Sequence, residues 1–456
     1  MNNIMSTLPN LIALLFLFLT TASLLVIRYR GTRGHGAAIL TKLAAPLRTT
    51  LAWQRRAAGG QGTRRGLSIQ VRDRAVAHRA LVQQSAAFLD RPTPVVPSSI
   101  LSQNRHFNIL AARYGPYWRA VRRNLVAGVL SPSARGHGRI GGVHARALRD
   151  LVRALRSGAP MCFGRDVVSG IGEARLRAME KFQWDLLMEL PSFVVFATHP
   201  RIVRFLYPSR WRRLLAYRRF QEETYLPLVG EVKKRKAAGG GSTATTTITY
   251  VESLLDVRLR EDGDRALTDG EIVSLMSEFL GVATETTASS LQWTMANLVK
   301  HPELQEKLRL EVDAIAGGGE GAVGEDELSR MPYLRAVVLE SLRRHPPIPF
   351  AWSEPMAFVP ERFMPGGEGH GVDLACSKEF KMMPFGAGKR VCPGLAQAML
   401  HLEYFVANLV REFEWREVEG DEVDLTDLHA VILTVMKRPL RARLVPRRTA
   451  PAVAVA

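Results

Sequence analysis

The sequence predicts a mainly α-helical domain with small β-sheets, and three observations carry that prediction. Thr268 and Glu271 form a capping-box pattern, and helical spacing then continues to Lys300, where His301-Pro302 breaks it. That run of roughly 30 residues is far above the globular mean of about 11–12, so this element must cross the core of a large domain. Further helical patterns cover Pro302 to Ala316, Glu327 to Arg344 and Gly394 to Phe413, while strand-like alternation is rare.

Taken in order, the chain opens with Leu11 to Ile27, a stretch without a charge. As a helix it would span roughly 26 Å, close to the thin hydrocarbon core of the endoplasmic reticulum at roughly 27 Å. No Lys or Arg precedes it, contrary to a cleaved signal peptide. Arg28, Arg30 and Arg33 follow it, so the positive-inside bias places the rest of the chain in the cytosol. Residues 1–27 therefore read as a single-pass signal anchor, with membrane lipid as its partner, and 28–66 as a basic linker. Leu67 to Arg72 alternates as a strand, and Asp73 can cap a short helix from Arg74 to Gln84. Pro92, Pro94 and Pro97 mark a loop toward Pro116, a residue suited to the first position of a helix. Leu148, Leu151, Val152 and Leu155 stripe a helix that Gly158 can end. Lys233 to Thr247 reads as a flexible surface loop.

Net charge is +19, from 62 Lys and Arg against 43 Asp and Glu. No acidic residue precedes Asp73, so the ten basic residues from Arg28 to Arg72 supply over half of that excess. No nucleic-acid recognition module accompanies the charge, which argues against a nucleic-acid partner. Three cysteines, Cys162, Cys376 and Cys392, cannot build a disulfide framework. They point to a reducing compartment or a ligand thiol.

Cys392 is the ligand candidate. It lies in Phe385-Gly386-Ala387-Gly388-Lys389-Arg390-Val391-Cys392-Pro393-Gly394, just ahead of a helical pattern. Glycines let backbone amides approach the sulfur, while a helix N-terminus and the cations Lys389 and Arg390 favour thiolate. A structural cysteine in a glycine-rich turn is the bland alternative. The segment, however, resembles without a gap the Phe-x-x-Gly-x-Arg-x-Cys-x-Gly signature of cytochrome P450 enzymes. The likeness extends from about Leu67 to Arg447 and is greatest to plant microsomal A-type members.

That resemblance implies a cytochrome P450 fold over 67–446, a disordered tail over 447–456, and a bound haem (heme b) whose iron takes the Cys392 thiolate. Phe385, Gly386 and Arg390 would line the cofactor. Trp118-Arg119-Ala120-Val121-Arg122 resembles the motif that meets the haem propionates, so Trp118, Arg122 and Arg390 would hold two carboxylates. Glu340-Ser341-Leu342-Arg343 resembles the Glu-x-x-Arg pair, and Pro360-Glu361-Arg362-Phe363 the segment whose Arg362 completes a buried ion network. At i, i+3 Glu340 and Arg343 share a helix face; the bland alternative is a surface pair. Val282-Ala283-Thr284-Glu285-Thr286-Thr287 resembles the oxygen-handling stretch, giving Glu285 and Thr286 the catalytic role of managing protons. Alone, such a run would be only the polar face of a helix. The implied activity is a monooxygenase acting on a small lipophilic substrate, with NADPH electrons delivered by a membrane-bound reductase.

The chain departs from the pattern in three places. Val282 and Ala283 replace a smaller pair and should crowd the oxygen groove. No proline-rich hinge follows the anchor. Only 20 positions separate Glu340 from Pro360, where the family carries several tens more, so some sheet strands should be missing between about 346 and 355. The shortened tether is expected to keep Arg362 from closing on Glu340. The rival reading is thus a membrane-anchored haem-binding remnant of impaired activity.

Overall fold

The computed structural model describes residues 73–90, 97–101, 108–130, 158–163, 167–168, 170–196, 200–238, 248–317, 322–348, 357–430 and 433–447. By internal contacts the chain divides into residues 1–70 and 71–456, and all described residues belong to the second unit. The anchor, the basic linker, the strand from Leu67, the stripe from Leu148, the junction 349–356 and the tail 448–456 lie outside the described residues. Among the described residues, no single helix is long and apolar enough to cross a membrane.

Asp73 caps helix α1 (Arg74–His78) as expected, its carboxylate accepting the Val76 amide at 2.8 Å. A π-helical turn, Arg79–Gln83, prolongs it. Pro116 opens α2 (Pro116–Leu125), where its missing N–H costs nothing. Gly158 belongs to a short helix, Gly158–Phe163, and does not end one. Two long helices follow that the sequence did not reveal, α3 (Glu173–Glu189) and α4 (Pro208–Ala237). The expected loop from Lys233 is corrected by α4. Lys234, Arg235 and Lys236 form its last turn, where cations meet the negative end of the helix dipole.

Helix α5 (Asp269–Lys300) has the expected bounds, and both halves of its Thr268/Glu271 capping box are present. It spans roughly 48 Å at 1.5 Å per residue. α6 (Pro302–Ala316) also begins and ends as expected. The pattern from Glu327 to Arg344 is divided into Glu325–Leu328 and α7 (Pro332–Arg344). Met331, before a proline, leaves the helical region at φ −106°, ψ 80°. α8 (Leu395–Glu412) passes directly into strand Phe413–Arg416.

The sheets are small, as expected. Arg258–Leu259 pairs with Arg265–Ala266, Phe413–Arg416 with Arg443–Pro446, and Asp427–Ala430 with Leu433–Met436, each pair antiparallel. The Thr434 amide also donates to the Pro347 carbonyl at 2.7 Å, fastening the end of the α7 segment to the last of these sheets. Arg447, assigned to the tail, is held by its amide to the Glu412 carbonyl at 2.9 Å.

Two apolar clusters share α5. Leu291, Trp293, Leu298 and Val299 pack with α6, α7 and α8. Ile272, Val273, Leu275 and Met276 pack with α2, α4 and Tyr250–Leu255. Fully burying one such side chain contributes about 1.5–3 kcal/mol. Between the clusters, residues 281–288 are not buried, and Val282 is 49% exposed. The long helix thus bares its middle where the oxygen-handling motif lies.

Candidate functional site

The cysteine loop is built on two glycines in the left-handed region, Gly386 at φ +72° and Gly388 at φ +65°. Gly388 has a second reason to be glycine: a Cβ there would lie 2.0 Å from the Leu81 carbonyl oxygen, on the turn that prolongs α1. The Cys392 amide donates to the Phe385 carbonyl at 2.8 Å, closing the loop ahead of Gly394, the N-cap of α8. Burial pushes the Cys392 thiol up, while the Gly394 amide and the Arg122 guanidinium pull it down. Burial prevails, so an unliganded thiol stays protonated until a cation adds its own field.

The cations expected to favour thiolate are turned elsewhere. Lys389 lies over the Tyr114 ring at 5.4 Å. Arg390 donates to the carbonyls of Leu89 at 2.9 Å and Ala112 at 2.8 Å. The guanidinium acting on the sulfur is that of Arg122, which donates to the Val391 carbonyl. Trp118 lies within cation–π reach of both arginines, with Arg122 5.2 Å and Arg390 4.8 Å from its ring centre. Its indole N–H donates to the Ile109 carbonyl at 3.1 Å.

Glu278 on α5, which the motifs did not single out, anchors that assembly. Its two carboxylate oxygens accept the Ile109 and Leu110 amides, both at 2.7 Å. The signal available was a lone carboxylate in a buried stretch of helix, which requires partners. Through this turn α5 is joined to Trp118, Arg390 and the cysteine loop.

In the middle of α5, the Thr286 hydroxyl donates to the Val282 carbonyl at 2.8 Å and the Thr287 hydroxyl to Ala283 at 3.0 Å. Burial, then the carboxylate of Glu180 on α3, raise the pKa of Glu285. Gln183, one turn along α3 from Glu180, lies against Gly281, where a Cβ would come within 2.9 Å of its amide oxygen. The same amide donates to the Tyr225 hydroxyl at 2.8 Å. These packing residues of α3 had no motif to betray them.

The ion network closes, against expectation. Glu340 is fully buried, and Arg343 grips it with two bonds of 2.8 and 2.9 Å. Arg362 Nε stands 3.6 Å from Glu340 Oε1, and the Val359 amide donates to the same oxygen at 2.8 Å. The tether is long enough because Val359 returns beside α7 and delivers Arg362 from the short turn Pro360–Phe363. A bidentate pair with a third donor satisfies a buried carboxylate that would otherwise be costly.

A separate cavity of about 700 Å³ lies between α1 with its π-helical extension and the segments around Arg362 and Lys378. Cys392 and Thr286 do not line it.

The residues present fit a thiolate-bound haem. A cysteine sulfur takes one backbone amide and the field of one arginine, and α5 bares the apolar Val282 and Ala283 beside the motif threonines. Comparison with known proteins agrees. The family model for cytochrome P450 matches residues 159–351 and 349–444. Cytochrome P450 89A9 of Arabidopsis thaliana is 36% identical over 444 residues, covering 84% of each chain. Cytochrome P450 78A1 of Zea mays is 30% identical over 391 residues, covering 73% of this chain and 70% of that one. Amorpha-4,11-diene 12-monooxygenase of Artemisia annua is 24% identical over 421 residues, with 81% of each covered. A zebrafish cytochrome P450 solved with abiraterone superposes with a TM-score of 0.62 at 19% identity, over 88% of this chain and 100% of that one. With the cysteine loop, the long helix and the Glu340 clamp in place, this chain belongs to the cytochrome P450 family of haem-thiolate monooxygenases.

Proposed function

We propose that the chain inserts one oxygen atom from O2 into a small lipophilic substrate: R–H, O2, two electrons and two protons give R–OH and water. The carrying observation is the Cys392 loop, which two left-handed glycines and the Cys392 amide bond to Phe385 set ahead of the N-terminus of α8. Haem b held by that sulfur would supply the one-electron and oxygen chemistry. Phe385 and Gly386 shape the loop that presents the thiolate, and Arg122 and Arg390, beside Trp118, would exchange their carbonyl partners for the carboxylates of the cofactor. Thr286 offers a hydroxyl that can exchange its Val282 partner for a proton acceptor in the site. Glu285, biased toward its protonated form, is the proton store one residue away.

Electrons would come from NADPH through a membrane-bound reductase. Leu11 to Ile27 would anchor the protein in the endoplasmic reticulum, with the catalytic domain in the cytosol. The name of the Artemisia annua relative, a diene monooxygenase, supports a lipophilic substrate.

A specific observation favours the second reading, an impaired remnant. The family model matches in two pieces that meet at 349–351, which supports a deletion there. At the neighbouring end of α7, Arg344 Nε and Nη1 and His345 Nε2 are buried and find no hydrogen-bond partner among the described residues. Each such group costs about 1–3 kcal/mol, as expected where sheet strands are missing.

The decisive experiment measures two quantities on the purified full chain. A thiolate-type Soret band of the ferrous carbon monoxide adduct establishes haem binding through cysteine. Product formed per NADPH with added reductase separates a working enzyme from a remnant, and the same chain with the missing strands restored is the comparison. Absence of the band would remove both readings.

A further inference from the structure

We propose that the 700 Å³ cavity beside α1, which Cys392 does not line, is a binding site for a phosphate-bearing ligand. Its size falls within the range of about 300–1,000 Å³ typical of small-molecule sites. Arg74, Arg79, Arg343, Arg362, Lys378 and Lys381 line it against two carboxylates, Glu368 and Glu379. Both carboxylates are already engaged: Glu368 takes Arg362 at 2.7 Å, and Glu379 takes Lys381 at 3.4 Å. Among the described residues, no ion pair or hydrogen bond engages the Arg79 guanidinium or the Lys378 ammonium.

The placement of those two cations gives the site its specificity. His78 Nε2 lies 3.1 Å from the Ser377 carbonyl, which stitches the two walls together. Arg79 and Lys378 follow the two bonded residues in the chain, and both line the cavity, one from each wall. Two cations from opposite walls suit a dianionic group, and guanidinium offers a fork matched to phosphate oxygens. The floor is apolar. Phe380 is 5% exposed with His78 edge-on to its ring at 5.3 Å, so a ligand body can rest there while its phosphate meets the cations. With cations outnumbering carboxylates in its lining, the cavity also attracts anions.

The phosphate could come from a soluble metabolite or a lipid headgroup, and calorimetry on the full-length protein distinguishes them. Inorganic pyrophosphate and dihexanoyl phosphatidate are titrated separately below micelle formation, with dihexanoyl phosphatidylcholine as the zwitterionic control. At least one anion should bind with unit stoichiometry, and the double variant Arg79→Gln, Lys378→Gln should weaken it by about tenfold or more, at about 1.4 kcal/mol per factor of ten. Glu379→Gln, which releases Lys381, should tighten it. Lys437→Gln with Arg443→Gln, outside the cavity, should leave it unchanged. Binding of pyrophosphate assigns a soluble ligand; binding of phosphatidate alone assigns the headgroup. The proposal is overturned if neither anion binds, if phosphatidylcholine binds equally, or if the control pair weakens affinity as much as the cavity pair.

Discussion

Glu340 and Arg362 meet at 3.6 Å, and the carboxylate, not the arginine, is the centre of the contact. Glu340 is fully buried and serves Arg343, Arg362 and the Val359 amide together. Arg362 is partly exposed and shares itself with Glu368. Glu340→Gln should therefore cost about 3–5 kcal/mol by denaturant unfolding, since it leaves a buried cation uncompensated. Arg362→Gln should cost about 1–2 kcal/mol, because solvent reaches its site. Equal losses would show that the clamp is not centred on Glu340.

Cys392→Ser should abolish the thiolate-type Soret band of the carbon monoxide adduct. Cys162→Ser and Cys376→Ser should keep it. Burial raises both of those thiols, Cys376 to about 11, and the Cys376 sulfur is already spent on the Met382 carbonyl at 3.2 Å. Loss of the band in all three variants would refute the assignment of Cys392.

The two loop glycines should respond differently to alanine. At Gly386 no atom stands within 4 Å of the added carbon, so only the left-handed backbone is strained, at about 1–2 kcal/mol. At Gly388 the methyl meets the Leu81 carbonyl at 2.0 Å as well. Gly388→Ala should therefore be clearly the more destabilising, and should lose haem first as temperature rises, read from the Soret absorbance. Equal melting of the two variants would contradict the packing of the loop on α1.

Glu285 predicts a pH dependence with a definite sign. Its folded pKa lies above the ordinary 4.5, so the native state binds this proton more tightly than the unfolded chain. That contribution is full below about pH 4.5 and is lost as pH rises through the folded pKa. Glu285→Gln cannot ionise beside Glu180. Its stability relative to the parent should increase from acidic to neutral pH, measured by urea unfolding at several pH values. A difference independent of pH would show that burial and Glu180 do not raise the Glu285 pKa.

Removal of residues 1 to 30 should move much of the protein from the carbonate-resistant membrane fraction to the extractable one. Protease added to sealed microsomes should digest the main domain of the full chain. Protection of that domain would reverse the proposed orientation.

The legible parts of this protein were those whose cause is local. The capping box of α5, the His301-Pro302 break and the first-position prolines act within one turn, and they set the bounds of α5 and α6. The residues α4 buries include Arg218, Gln221 and Thr224 alongside Leu214 and Tyr225, and Pro227 sits inside it. No apolar stripe survives that mixture, so neither its length nor the helical nature of Lys233 to Ala237 showed. Cys392 and the Glu340–Arg343 pair are short-range motifs and could be read directly. Glu278 and Gln183 act through contacts between separate helices, and no spacing in the chain encodes them. The direction of Lys389 and Arg390 was misjudged for the same reason: adjacency to Cys392 says nothing of the carbonyls of Leu89 and Ala112.

The described residues on either side of 349–356 are each moored by a bond to another element. The Pro347 carbonyl is tied to the Thr434 amide, and the Val359 amide to Glu340. Lengthening a closed loop adds only about 0.6 kcal/mol for each doubling. A change in the length of the chain between them should therefore leave the Glu340 clamp seated.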